Sequence, residues 1–69
     1  MPSLKRQLAQ ARDDIEQAKK QIADQTSLVE QLVADRHDPV PAQRILATYL
    51  SVLDTLTRHL AELESNPPR

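Results

Sequence analysis

From Leu4 to Leu32 the ladder positions step four, three, four, three: Leu4, Leu8, Ala11, Ile15, Ala18, Ile22, Gln25, Val29 and Leu32. A spacing of this kind, held over four heptads, constrains the chain to one class of fold. It makes a narrow apolar seam along a helix, which must be covered by another helix. A second ladder follows at Leu46, Tyr49, Leu53, Leu56, Leu60 and Leu63. Between the two lies Ala34-Asp35-Arg36-His37-Asp38-Pro39-Val40-Pro41, with two prolines and a run of charge. The reading is all-α: an antiparallel two-helix coiled-coil hairpin, expected to dimerise into a four-helix bundle.

The expected boundaries are helix 1 at about 3–36, a hinge at about 37–41, helix 2 at about 39–64 and a frayed tail at 65–69. Ser3 is placed to cap helix 1, because its hydroxyl can accept from the first free backbone N–H groups. Asp38 precedes a proline, which disfavours the α conformation there. Asp38 also suits the N-cap of helix 2, with Pro39 at the first helical position, where its missing N–H costs nothing. A start at Pro41 is the alternative. Asn66-Pro67-Pro68 reads as a stop signal.

Composition supports the same class. The chain has 69 residues, no glycine, no cysteine and one aromatic residue, Tyr49. Small β folds lean on glycine for turns with positive φ. A single small domain without disulfides or thiolate metal ligands needs another staple, and a partner subunit is the one left. Net charge is −1, with acids and bases interspersed, which is not the footprint of a nucleic-acid binder. No apolar run approaches the roughly 20 residues that span a bilayer. Met1-Pro2-Ser3-Leu4-Lys5-Arg6 is not followed by the apolar core of a signal peptide. The cytoplasm is the default compartment.

Folding the ladders together at the hinge pairs Leu32 with Leu46, Val29 with Tyr49 and Gln25 with Leu53. Further out it pairs Ile22 with Leu56, Ala18 with Leu60 and Ile15 with Leu63. Two 4-3 ladders always match in one of two phases, so this register is a consistency check. The residues Ile15, Ile22, Val29, Leu32, Leu46, Tyr49, Leu53, Leu56 and Leu60 are the expected core. Helix 1, at about 34 residues, outruns helix 2, at about 25, given 1.5 Å per residue. Leu4, Leu8 and Ala11 are therefore expected to lack a partner within the chain. Leu28, Val33, Ile45, Leu50 and Val52 are expected to be half-covered. Leu4, Leu8, Ile45, Leu50 and Val52 form the expected oligomer interface.

No motif carries chemistry: no catalytic, cofactor-binding or metal-ligating set is expected, and the chain is not read as an enzyme. His37, between Asp35 and Asp38, offers an acid–base pair or half a metal site. It is better read, with Asp38 and Pro39, as part of the hinge, its imidazole capping the last carbonyls of helix 1. His59 raises the thought of a phosphotransfer histidine on a helical bundle, but Thr57, Arg58, Ala61 and Glu62 around it suit boundary packing. Asp13, Asp14 and Glu16 lie on a solvated face that offers no pocket to perturb a carboxylate. Glu16 and Lys20 have the favourable i, i+4 order. Lys5, Arg6, Arg12, Lys19 and Lys20 form a broken basic strip. It supports an alternative, a small dimeric RNA- or DNA-binding regulator, although the interleaved acids and lack of aromatic residues on that helix speak against it. Gln25 has two open readings: a polar core residue that fixes register and oligomer state, or an amide at the bundle edge reaching water.

Three stretches, Gln21-Ile22-Ala23-Asp24-Gln25, Leu32-Val33-Ala34-Asp35-Arg36-His37-Asp38 and Leu46-Ala47-Thr48-Tyr49, together with Ala42, Leu53 and Arg58-His59-Leu60, carry a resemblance. From Gln7 to Leu63 the chain resembles a family of short helical proteins of α-proteobacteria with an Asp-Gly-His-Asp hinge. Here Arg36 stands where glycine is usual in that family. The resemblance implies a helical hairpin and no activity. The expected role is protein–protein interaction by a self-associating hairpin, a dimer first, with a helical partner protein as the other possibility.

Overall fold

The computed structural model describes residues 3–65. Two helices make up the described chain: α1, Leu4–Ala34, and α2, Val40–Ser65. They pack against each other as an antiparallel hairpin with extents of 53 × 17 × 14 Å. The stop signal at Asn66-Pro67-Pro68 and the tail to Arg69 lie outside the described residues.

The start of α1 and both ends of the hinge follow from local chemistry. The Ser3 hydroxyl accepts from the Arg6 N–H at 3.2 Å, capping α1. At its other end α1 stops two residues earlier than expected. The Arg36 N–H donates to the Val33 carbonyl at 3.1 Å, and the His37 N–H to the Leu32 carbonyl at 2.9 Å. This pair of bonds, with Arg36 at φ 59°, is a Schellman closure. Arg36 occupies the left-handed region where a side chain costs about 1–2 kcal/mol. The cap that closes α1 is thus made by the backbone N–H of His37 and not by its imidazole. Asp38 then caps α2, its carboxylate accepting from the Val40 N–H at 3.0 Å. Gln43 N–H donates to the Pro39 carbonyl at 2.9 Å, so Pro39 takes the N-cap position and Val40 is the first helical residue, one later than expected and ahead of the alternative start at Pro41.

The core is small. Ala11, Ile15, Ala18, Ala42 and Leu63 are buried, and no described side chain is wholly enclosed. Of the nine core residues expected from the ladders only Ile15 is buried; the other eight are half-buried. The reason is geometric. A seam between two helices has no third wall, so an alanine is roofed by its neighbours while a leucine or tyrosine protrudes past the seam.

The register differs from the expected one. Gln25 Nε2 donates to the Ala42 carbonyl at 3.0 Å, yet pairing Gln25 with Leu53 would leave Ala42 about 16 Å away along the axis. A glutamine side chain cannot span that. Slipping α2 by one heptad puts Gln25 level with Leu46, Ala18 with Leu53 and Leu8 with Leu63. This keeps ladder on ladder and brings the Ala42 carbonyl within reach. The Arg12–Glu64 pair at 3.7 Å ties the first half of α1 to the end of α2. The slip removes the long overhang expected for α1: Ala11 is buried at 4% exposure, and Leu4 and Leu8 are half-buried.

Candidate interaction surface

Residues seven apart on a helix keep nearly one face, drifting only about 20° per heptad. On α1, Gln7, Asp14, Gln21 and Leu28 have this spacing; on α2, Ile45, Val52 and His59 do. A shallow groove of about 540 Å³ joins Arg6, Gln7, Gln10, Ala11 and Asp14 to His59. The two series therefore border one and the same broad face of the hairpin. A second pair of series, Arg12-Lys19-Thr26-Val33 and Gln43-Leu50-Thr57-Glu64, borders the opposite face, joined by the Arg12–Glu64 pair.

The first face changes character along its length. Toward the hinge it is apolar, with Leu28, Ile45 and Val52 each more than two-fifths exposed. With Gln25 level with Leu46, Leu28 falls level with residue 43, so Leu28 and Ile45 lie only about 3 Å apart along the axis. Toward the open end the face is polar. Asp14 accepts from Gln10 Nε2 at 2.8 Å, and His59 is exposed beside it in the groove.

Several polar groups on this face are bonded within the chain. Gln17 donates to Asp13 at 3.2 Å. The hydroxyls of Thr48 and Thr55 donate to the carbonyls of Arg44 and Ser51, each at 3.2 Å. A threonine bonded back in this way has no donor left to strand if a partner covers it.

The interface residues expected from sequence divide into two groups. Ile45, Leu50 and Val52 stand exposed. They do not share a face, because Leu50 lies on the side of Glu64. Leu4 and Leu8 are half-buried in the hairpin itself. Leu28, placed beside Ile45 by the register, was expected only to be half-covered; its spacing of seven from Gln21 and Asp14 was the signal that ties it to the groove. Gln25 is part-buried, and its amide donates across the seam to the other helix.

The basic strip is partly engaged by acids. Lys19 pairs with Glu16 at 3.8 Å, in place of the Glu16–Lys20 pair expected, and Arg12 pairs with Glu64. Among the described residues no cluster of three His, Cys, Asp or Glu side chains could hold a metal ion. No described helix is long and apolar enough to cross a membrane. No family model matches the chain, and no curated protein or solved structure matches it.

Proposed function

We propose that the chain is a non-catalytic helical hairpin that self-associates, two copies packing as a four-helix bundle, and that it acts through protein–protein interaction. The observation that carries this reading is the one-sided seam. No described side chain is wholly enclosed, while six large aliphatic residues stand at least 43% exposed. A single hairpin covers each helix on one side only, and a second hairpin supplies the missing walls.

Area supports the same reading. The chain exposes 5505 Å², about 1,100 Å² more than the roughly 4,400 Å² of a compact monomer of its mass. A standard interface covers about 800 Å² of each partner. The nucleic-acid alternative has less behind it, since two of the five cations of its strip already meet carboxylates. Sedimentation equilibrium at micromolar concentration tests the proposal. The expected mass is twice that of the chain, with cooperative loss of helicity on heating. A stably folded monomer across that range would overturn it.

A further inference from the structure

We infer that two copies of the chain exchange α2 by opening the hinge, so that α1 of each copy pairs with α2 of the other. The exchanged pair is distinct from the four-helix bundle proposed above, in which each hairpin stays closed, and it does not rest on that bundle.

The occupant is selected by the seam itself. What holds α1 runs across to α2. Gln25 donates to the Ala42 carbonyl, Arg12 meets Glu64, and the buried residues Ala11, Ile15, Ala18, Ala42 and Leu63 line the seam. A second copy's α2 carries the same ladder, the same carbonyl and the same carboxylate, so it makes each of these contacts in the same register. Two exchanged seams therefore bury what two closed hairpins bury. The balance between them falls to the hinge and to concentration.

The hinge can part without loss of its local bonds. Among the described residues those bonds fall into two sets. The N–H groups of Asp35, Arg36 and His37 donate back to the carbonyls of Gln31, Val33 and Leu32 in α1, while Asp38 and Pro39 accept from Val40 and Gln43 in α2. None of these bonds links the α1 side of the hinge to the α2 side, so the chain swings open between His37 and Asp38 without breaking one.

The closed hinge also carries a cost that the open one does not. Reversing the chain between Ala34 and Val40 holds Arg36 at φ 59°, the one positive φ among the described residues. A residue with a side chain is disfavoured there by about 5- to 30-fold. An open hinge needs no reversal. Arg36 is then free to leave the left-handed region, and water takes the exposed N–H groups of the closure. A short hinge under strain favours exchange, and each exchanged pair relieves two hinges. A short flexible linker holds its own partner at an effective concentration of about 1 mM. Relief at two hinges, about 30- to 900-fold together, brings exchange into the micromolar range.

Pro39 and Pro41 keep the open hinge from becoming helix, because neither has an N–H to donate and the ring of Pro39 would clash with the carbonyl of Asp35. The exchanged pair is thus two hairpin-like halves joined end to end by two extended hinges, roughly twice the 53 Å length of one hairpin.

The chain has no cysteine, so one double variant reads the connection. Ala18 and Leu53 are level across the seam. Ala18→Cys with Leu53→Cys is oxidised after equilibration across a concentration series, since disulfide bonding needs Cα atoms within about 7 Å. A closed hairpin links to itself and runs as a monomer under denaturing, non-reducing conditions, even from within a bundle. An exchanged pair is locked as a covalent dimer. The covalent dimer is expected to rise with concentration through the micromolar range, and to fall at least about tenfold when Arg36→Gly is added. Self-linked monomer at every concentration up to about 1 mM would overturn the exchange, and would leave the bundle standing if sedimentation still gave twice the mass. A covalent dimer that Arg36→Gly does not diminish would overturn the part assigned to the hinge. The unsubstituted chain gives an independent reading by small-angle X-ray scattering. A dimer with a maximum dimension of roughly 100 Å is exchanged; a dimer near the 53 Å of one hairpin is a bundle of closed hairpins and counts against exchange.

Discussion

The two broad faces of the hairpin are cut from the same two helices, yet they differ in what it would cost to cover them. The face with Leu28, Ile45 and Val52 is bordered on α1 mainly by glutamines, with Asp14 and Asp24, and on α2 by threonines, with His59 and Glu62. Several of these polar groups are already bonded within the chain. The opposite face carries Arg12, Lys19 and Glu30 on α1 and Asp54 and Glu64 on α2. Desolvating those charges is expensive unless each finds a partner. The difference teaches that exposed apolar area alone does not mark an interface. Leu50 is as exposed as Ile45, but it sits among groups that favour water.

The largest expected effect breaks this comparison directly. Ile45→Glu with Val52→Glu places two charges in the centre of the quiet face, and each apolar side chain covered there is worth about 1.5–3 kcal/mol. The dimer is expected to weaken by at least about 100-fold. The matched control, Val33→Glu with Leu50→Glu, changes the same number of equally exposed residues on the charged face and is expected to leave the dissociation constant within a few-fold. Sedimentation measures both. Equal losses from the two pairs would erase the distinction between the faces.

How much of this was legible beforehand depended on the range of the physics involved. The caps at Ser3 and Asp38 are local, and their residue types announce them. The antiparallel hairpin follows from two ladders and a proline break. The register was not legible, because two heptad ladders fit equally well when slipped by seven residues. Only the reach of Gln25 to a particular carbonyl removes that degeneracy. The end of α1 was misplaced although position 36, where the resembled family carries glycine, is where a left-handed cap would close the helix; Arg36 makes that cap costlier, yet adopts it within the closure around it. The face was written in the sequence as a spacing of seven, from Gln7 through Leu28 and from Ile45 through His59. It joins across the helices only once the register is known.

Gln25 therefore sharpens the comparison at a second level. It sits in neither face, but its bond to the Ala42 carbonyl ties α1 to α2 at one level. Slipped by a heptad into the register first expected, Leu28 would lie level with Leu50, and its contact with the Ile45 level would be lost. Gln25→Leu removes the hydrogen bond to Ala42 and adds apolar contact, two effects of about 1 kcal/mol each and opposite sign. Stability is expected to change by no more than about 1 kcal/mol, while register specificity falls. Spin labels at Asp24→Cys and Ala47→Cys, level in the observed register, would report a second population offset by about 10 Å along the axis. A single unchanged distance would show that the ladders hold register without the glutamine.

The smallest expected effect concerns the charged face itself. Arg12 and Glu64 form an ion pair at 3.7 Å, joining the first half of α1 to the end of α2, with both side chains more than half exposed. In water a pair of this kind gains little Coulomb energy and loses the entropy of two long side chains. A double-mutant cycle with Arg12→Ala and Glu64→Ala is expected to give a coupling of no more than about 0.5 kcal/mol, shrinking further with added salt. That small value is what the comparison requires. If the charged face is kept open to solvent, its ion pairs are surface pairs and contribute as surface pairs do. A coupling several times larger, and insensitive to salt, would mean that water is excluded there. A partner would then cover the charged face, and the comparison between the faces would be reversed.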